Sequence, residues 1–161
     1  MADSLEKDWE GITLYTDGAC RGNQKEGGGL GGWGVLMVWK DKERELWGGE
    51  LQTTNNRMEL MAVIRGLQAL KRTDLPVRIV TDSAYVANCF RERWFERWQK
   101  NGWRNARREP VENQDLWQSL LMELGRLDSY SFIKVKGHAG HPGNERADAL
   151  ANRGADSQLP G

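Results

Sequence analysis

The stretches ITLYTDG (12–18) and VRIVTDS (77–83) carry the same local pattern. Each is a β-rich run that ends in Thr-Asp followed by a small residue. If the two strands lie parallel and adjacent, Asp17 and Asp82 emerge side by side at their carboxyl ends, where open α/β sheets place their sites. Either Asp alone fits a simpler role, starting a turn or capping a helix. Two such ends in one chain weaken that simpler role.

The rest of the pattern grows outward from this pair. Residues 18–32 are glycine-rich and read as a loop. WGVLMVWK (33–40) and ERELWGGEL (43–51), separated by Asp41-Lys42, read as an antiparallel hairpin. TTNN (53–56) offers N-cap residues for a helix over about 57–72, with Leu60, Met61, Ile64, Leu67 and Leu70 at helical spacing. Ser83 caps a second helix to about Arg91. A Trp- and Arg-rich segment, a helix over 115–126, a strand over 130–136, the loop GHAGHPGN and a last helix over 144–153 follow. The tail ADSQLPG reads as frayed. The order β-β-β-α-β-α-α-α-β-α predicts an α/β mixed sheet with helices on its faces.

Composition bounds what such a domain does. The chain has 161 residues, enough for one domain with its own core, over 1–161. Its 23 Lys+Arg balance 23 Asp+Glu, which excludes coating of polyanions through global charge but allows a local basic patch. Cys20 and Cys89 are too few for a secreted disulfide framework. No apolar run approaches the ~18 residues of a membrane span. A cytoplasmic location, reduced thiols and no membrane partner are therefore expected.

Two further acids stand out. Glu59 reads as a first-turn residue, where the helix dipole alone favours an acid. Yet it shares a face with Val63, Leu67 and Leu70, where a carboxylate is costly unless paired or metal-bound. Asp148, in NERADALA, fits a solvated helix face, or becomes a fourth carboxylate if the last helix returns to the same sheet edge. Clustered carboxylates stay ionised together only around a positive charge. Oxygen donors suit Mg²⁺ or Mn²⁺, and two such ions about 4 Å apart clamp in-line phosphoryl chemistry.

TDGACRGN (16–23), TTNNRMELM (53–61), TDSAYV (81–86) and VKGHAGHPGNERADALA (135–151) together strongly resemble type 1 ribonuclease H, from about Ile12 to Arg153. The resemblance implies the ribonuclease H-like fold, a five-stranded mixed sheet of three antiparallel and two parallel strands with helices on both faces. It implies hydrolysis of the RNA strand of RNA–DNA hybrids by two Mg²⁺ (Mn²⁺ substituting), held by Asp17, Glu59, Asp82 and Asp148. His138 matches the catalytic-loop histidine that assists proton transfer or product release, the alternative being a surface histidine in a flexible glycine loop.

The resemblance also carries substrate contacts. Cys20, Gly22, Asn23, Asn55 and Asn56 match positions near the RNA strand, and Thr54 with Asn113 matches a pocket for a DNA phosphate. Gln52 stands where the family often has Arg, so a weaker charge contact is expected there. Gln24-Lys25-Glu26 replaces a commonly proline-containing loop. Residues 91–108 hold seven cations and two anions, interleaved with Trp94, Trp98 and Trp103. The simple reading is an amphipathic helix with its indoles in the core. The family reading is a basic protrusion (about 91–113) whose Lys100, Arg104 and Arg107 hold DNA phosphates and whose indoles rest on sugars or bases. A monomer is expected. Two other functions fit the same acids: a related polynucleotidyl transferase core, and a catalytically silent hybrid-binding module. Gly27, Gly29 and Gly32 fit G-x-G-x-x-G, but a strand-like run follows where a dinucleotide site needs a helix.

Overall fold

The computed structural model describes residues 9–22, 29–137 and 140–158. Five strands form one sheet: β1 (Ile12–Arg21), β2 (Gly29–Trp39), β3 (Lys42–Thr53), β4 (Val77–Thr81) and β5 (Tyr130–Lys134). Their order is β3-β2-β1-β4-β5. β1, β2 and β3 pair antiparallel, and β1–β4 and β4–β5 pair parallel. The expected three-plus-two sheet is thus present. The helices are α1 (Asn55–Gln68), α2 (Ala84–Arg91), α3 (Trp94–Asn101), α4 (Gln114–Gly125) and α5 (Pro142–Asp156).

Local chemistry sets the helix starts. The Thr54 hydroxyl accepts the Arg57 amide at 3.2 Å and the Ser83 hydroxyl accepts the Val86 amide at 3.2 Å, each satisfying an orphan N–H. α1 therefore begins two residues before the expected Arg57, and it ends at Gln68 rather than Arg72. α5 begins earlier as well, with Pro142 in its first turn, where a missing N–H costs nothing. It also runs to Asp156. Ala155 is fully buried, so residues 155 and 156 belong to a packed helix and not to a frayed tail.

Successive strand residues point to opposite faces. Leu14 enters the larger core with Leu60, Val63 and Leu67 of α1 and Trp117 and Leu120 of α4. Its neighbour Tyr15 enters the smaller core on the other face with Leu36, Val80 and Ala147 of α5. Cys89 is buried in the larger core as a free thiol. Among the described residues, no helix is long and apolar enough to cross a membrane.

Within the expected loop over 18–32, residues 18–21 and 29–32 are strand, because β1 runs to Arg21 and β2 starts at Gly29, and residues 23–28 lie outside the described residues. The glycines there serve packing. A Cβ on Gly32 would lie 1.9 Å from the Ala151 carbonyl oxygen and 2.2 Å from the Ala155 nitrogen, so α5 seats directly on the sheet backbone. Gly29 and Gly32 lie in a strand, which removes the dinucleotide motif.

Candidate active site

β1 and β4 run in parallel register, Ile12 beside Val77 through Tyr15 beside Val80. Continued two residues, that register sets Asp17 beside Asp82. The third acid comes from α1. A Cβ at Gly18 would sit 2.5 Å from the Glu59 nitrogen and 2.6 Å from the Met58 carbonyl carbon, so only glycine lets β1 approach the helix this closely. The Gly18 amide then donates to Asp17 Oδ1 at 2.9 Å and to Glu59 Oε1 at 3.0 Å.

Oxygens of Asp17, Glu59 and Asp82 all lie within 4.8 Å of one another. Asp148 of α5 joins them in lining an open cleft of about 350 Å³, with Asn55, Asn56, Ser83 and Tyr85. Glu59 falls in the second turn of α1 rather than the first, and it is 3% exposed. Helix-dipole stabilisation of a surface acid therefore does not account for it.

The electrostatics are those of a cluster lacking a counter-charge. Burial pushes the Asp17 carboxyl far above the ordinary carboxylate range, and the Glu59 and Asp82 charges push it further. Burial raises Glu59 as well, and its hydrogen bond with Asp17 offsets part of that. Glu59 Oε2 is buried without a hydrogen-bond partner among the described residues. An orphaned buried acceptor beside two more carboxylates fits a hard cation held by oxygen donors.

The comparisons agree with this geometry. The RNase H family model matches residues 9–156. The chain belongs to the RNase H family. Ribonuclease H of Pseudomonas putida (strain W619) is 55% identical over 156 residues, spanning 97% of this chain and 96% of its own. The crystal structure of LC9-RNase H1, a type 1 RNase H with the type 2 active-site motif, superposes with a TM-score of 0.81 at 35% identity, covering 92% of this chain and 73% of that one. A foamy viral protease–reverse transcriptase, solved in complex with RNA/DNA hybrid, shares the fold alone. Its TM-score is 0.81 at 22% identity, over 98% of this chain and 21% of that one. The expected resemblance to type 1 ribonuclease H holds over nearly the whole chain, and the protein is an enzyme of that class.

The other expected site residues fall in three places. Asn55 and Asn56 line the cleft with the acids. Cys20 lies farther along β1 and Gly22 just past its end, with Cys20 Sγ donating to the Thr53 carbonyl oxygen at 3.4 Å. Thr54 spends its hydroxyl on the α1 cap. Asn113 sits at the head of α4 with φ 60°, its side-chain amide donating to the Tyr85 hydroxyl at 3.3 Å. Asn23 and His138 lie outside the described residues.

In the basic protrusion, Lys100, Arg104 and Arg107 are exposed. Trp94, Trp98 and Trp103 are half-buried and form a pile with centroid spacings of 6.2 and 5.8 Å. Trp98 lies 5.5 Å from the fully buried Trp117, which ties the pile to the core. Trp94 and Trp98 also line a surface groove with Arg97 and Arg104. The indoles therefore hold the protrusion in place whatever else they touch.

Of the cleft residues, Ser83 reads in the sequence only as a helix cap, and Tyr85 carries no site signal of its own. Tyr85 follows Asp82 by three residues, in the first turn of the capped helix, and that spacing is the available signal. Its hydroxyl also accepts the Trp117 indole N–H at 2.9 Å.

Proposed function

We propose that this enzyme hydrolyses the RNA strand of an RNA–DNA hybrid in the cleft of Asp17, Glu59, Asp82 and Asp148, with two Mg²⁺ ions held by those carboxylates. The observation that carries the reading is the shared Gly18 amide, which holds Asp17 and Glu59 together while leaving Glu59 Oε2 buried and, among the described residues, unpartnered. When bound, the ions supply the charge that activates water and stabilises the leaving oxygen. Mn²⁺ has the same preference for oxygen ligands and serves in its place.

The chain's own residues do the rest. Asp17 and Glu59 are fixed by a backbone amide, so their orientation needs no reorganisation on binding. Asn55 and Asn56 open α1 at the cleft, where short amide side chains can read 2′-hydroxyls of the RNA strand. His138, in the glycine loop, moves a proton or helps release product. Thr54, Asn113 and the protrusion's Lys100, Arg104 and Arg107 engage the DNA strand at a distance from the cut.

The test is cleavage of end-labelled hybrid, RNA duplex and DNA duplex side by side, with Mg²⁺ and with chelator. Cleavage of the hybrid's RNA strand alone, abolished by chelator, is expected. Hybrid binding without cleavage in either Mg²⁺ or Mn²⁺ would overturn the reading in favour of a silent binding module.

A further inference from the structure

β5 is an edge strand, and two hydrogen bonds fix which of its groups face outward. The Val77 amide donates to the Ser129 carbonyl at 3.2 Å, and the Val135 amide donates to the Thr81 carbonyl at 2.9 Å. In a parallel ladder these bonds put Ser129, Ser131, Ile133 and Val135 toward β4. Tyr130, Phe132 and Lys134 therefore turn their N–H and C=O groups to the open edge.

The same three side chains stand on the α2 side of the sheet, since strand residues alternate. Phe132 stacks on Phe90 of α2 with centroids 4.1 Å apart and planes 11° apart. Beside this pair runs a groove of about 330 Å³ lined by Ala87, Phe90, Arg91, Phe132 and Lys134. The lining holds two cations and no carboxylate. Neither cation forms an ion pair among the described residues, where Arg91 donates only to Asn88.

We infer that β5 is a docking edge for an extended acidic peptide segment of another protein, which adds as a sixth strand. An apolar side chain of the segment would enter the groove beside Phe90 and Phe132, and acids two positions away on the same face would meet Arg91 and Lys134. Main-chain hydrogen bonds supply affinity in this mode and alternate side chains supply specificity. Charge decides the occupant. A second copy of this chain would bring its own Arg91 and Lys134 into the same groove. A nucleic acid backbone matches the cations, but its phosphates only accept hydrogen bonds and leave the outward C=O groups without donors.

The probe is a labelled peptide, Asp-Thr-Phe-Thr-Asp, added to the full-length enzyme and followed by fluorescence anisotropy and amide chemical shifts. Shifts concentrated at residues 130–134 and 87–91 are expected. Lys134→Glu should weaken binding at least tenfold with hybrid cleavage unchanged. A peptide of identical charge with methylated backbone nitrogens should bind at least tenfold more weakly. Equal binding of the methylated peptide would reduce the contact to charge alone and overturn the inference. So would displacement by oligothymidylate at the same amides, or sedimentation showing that β5 pairs two copies.

Discussion

Asp17 and Glu59 share one backbone donor: the Gly18 amide lies 2.9 Å from an oxygen of the first and 3.0 Å from an oxygen of the second. A single N–H cannot neutralise two carboxylates. The pair is held close by geometry and kept apart in charge only by protons or a cation, and this tension governs both stability and chemistry.

Replacing Asp17 should therefore separate the two. Both carboxyls titrate above the ordinary carboxylate range in the metal-free fold. That fold thus binds more protons than the unfolded chain, and its stability falls as pH rises from the carboxylate range through the raised values. Asp17→Asn should abolish cleavage yet stabilise the metal-free protein at pH 8 by roughly 1–3 kcal/mol. Thermal melts in chelator from pH 5 to 9 check this: the wild-type Tm should fall with pH and that of the variant should stay flatter.

Divalent cation should reverse the pH effect in the wild type. A ligand that binds only the folded state at a hundred times its Kd adds about 2.7 kcal/mol. The Tm should climb with Mg²⁺ concentration in the wild type and respond much less in Glu59→Gln, where the orphaned buried oxygen is no longer part of a carboxylate. Calorimetric titration of the metal into both proteins gives the same comparison without a melt.

Gly32→Ala should damage the site from a distance. The added methyl group meets the α5 backbone at Ala151 and Ala155, neither of which is a flexible side chain. A loss of about 3 kcal/mol is expected from overpacking. Because α5 carries Asp148, cleavage should fall along with the denaturation midpoint.

Backbone strain gathers in the basic protrusion. Arg93, Trp103, Arg108 and Asn113 all have φ between 57° and 64°, where a side chain costs roughly 1–2 kcal/mol. Arg93→Gly relieves that cost at the junction of α2 and α3, losing only an exposed pair with Glu96. A net gain of about 0.5–1 kcal/mol in urea denaturation is expected after the entropic cost of glycine.

Neutralising Arg104 and Arg107 together should weaken hybrid binding and flatten its salt dependence. Each phosphate contact contributes roughly −0.9 to the slope of log K against log salt on B-form DNA. The slope should shrink in magnitude by about 1–2 for the double variant. An unchanged slope would show that the protrusion does not grip the backbone.

Much of this was legible in the chain itself. The strand end at Thr81-Asp82, the caps at Thr54 and Ser83, and the element order depend on local chemistry, so they could be read residue by residue, whereas β1 continues past Asp17 to Arg21. The charge of the 91–108 segment was equally open to counting. Residues 18–21 and 29–32 read as loop in the sequence because glycine speaks locally for turns. Their reason for being glycine, the contact of β2 with α5 and of β1 with α1, lies between segments distant in sequence.

The sequence by itself determined the acids, the order of elements and the family. Only the tertiary structure decided that Asp17, Glu59 and Asp82 meet within 4.8 Å, that one amide serves two of them, and that Tyr85 joins the cleft. The physical reason is range. Propensity and capping act over a few residues, whereas burial and repulsion of these carboxylates arise only when the middle of one strand, the second turn of a helix and the end of another strand converge.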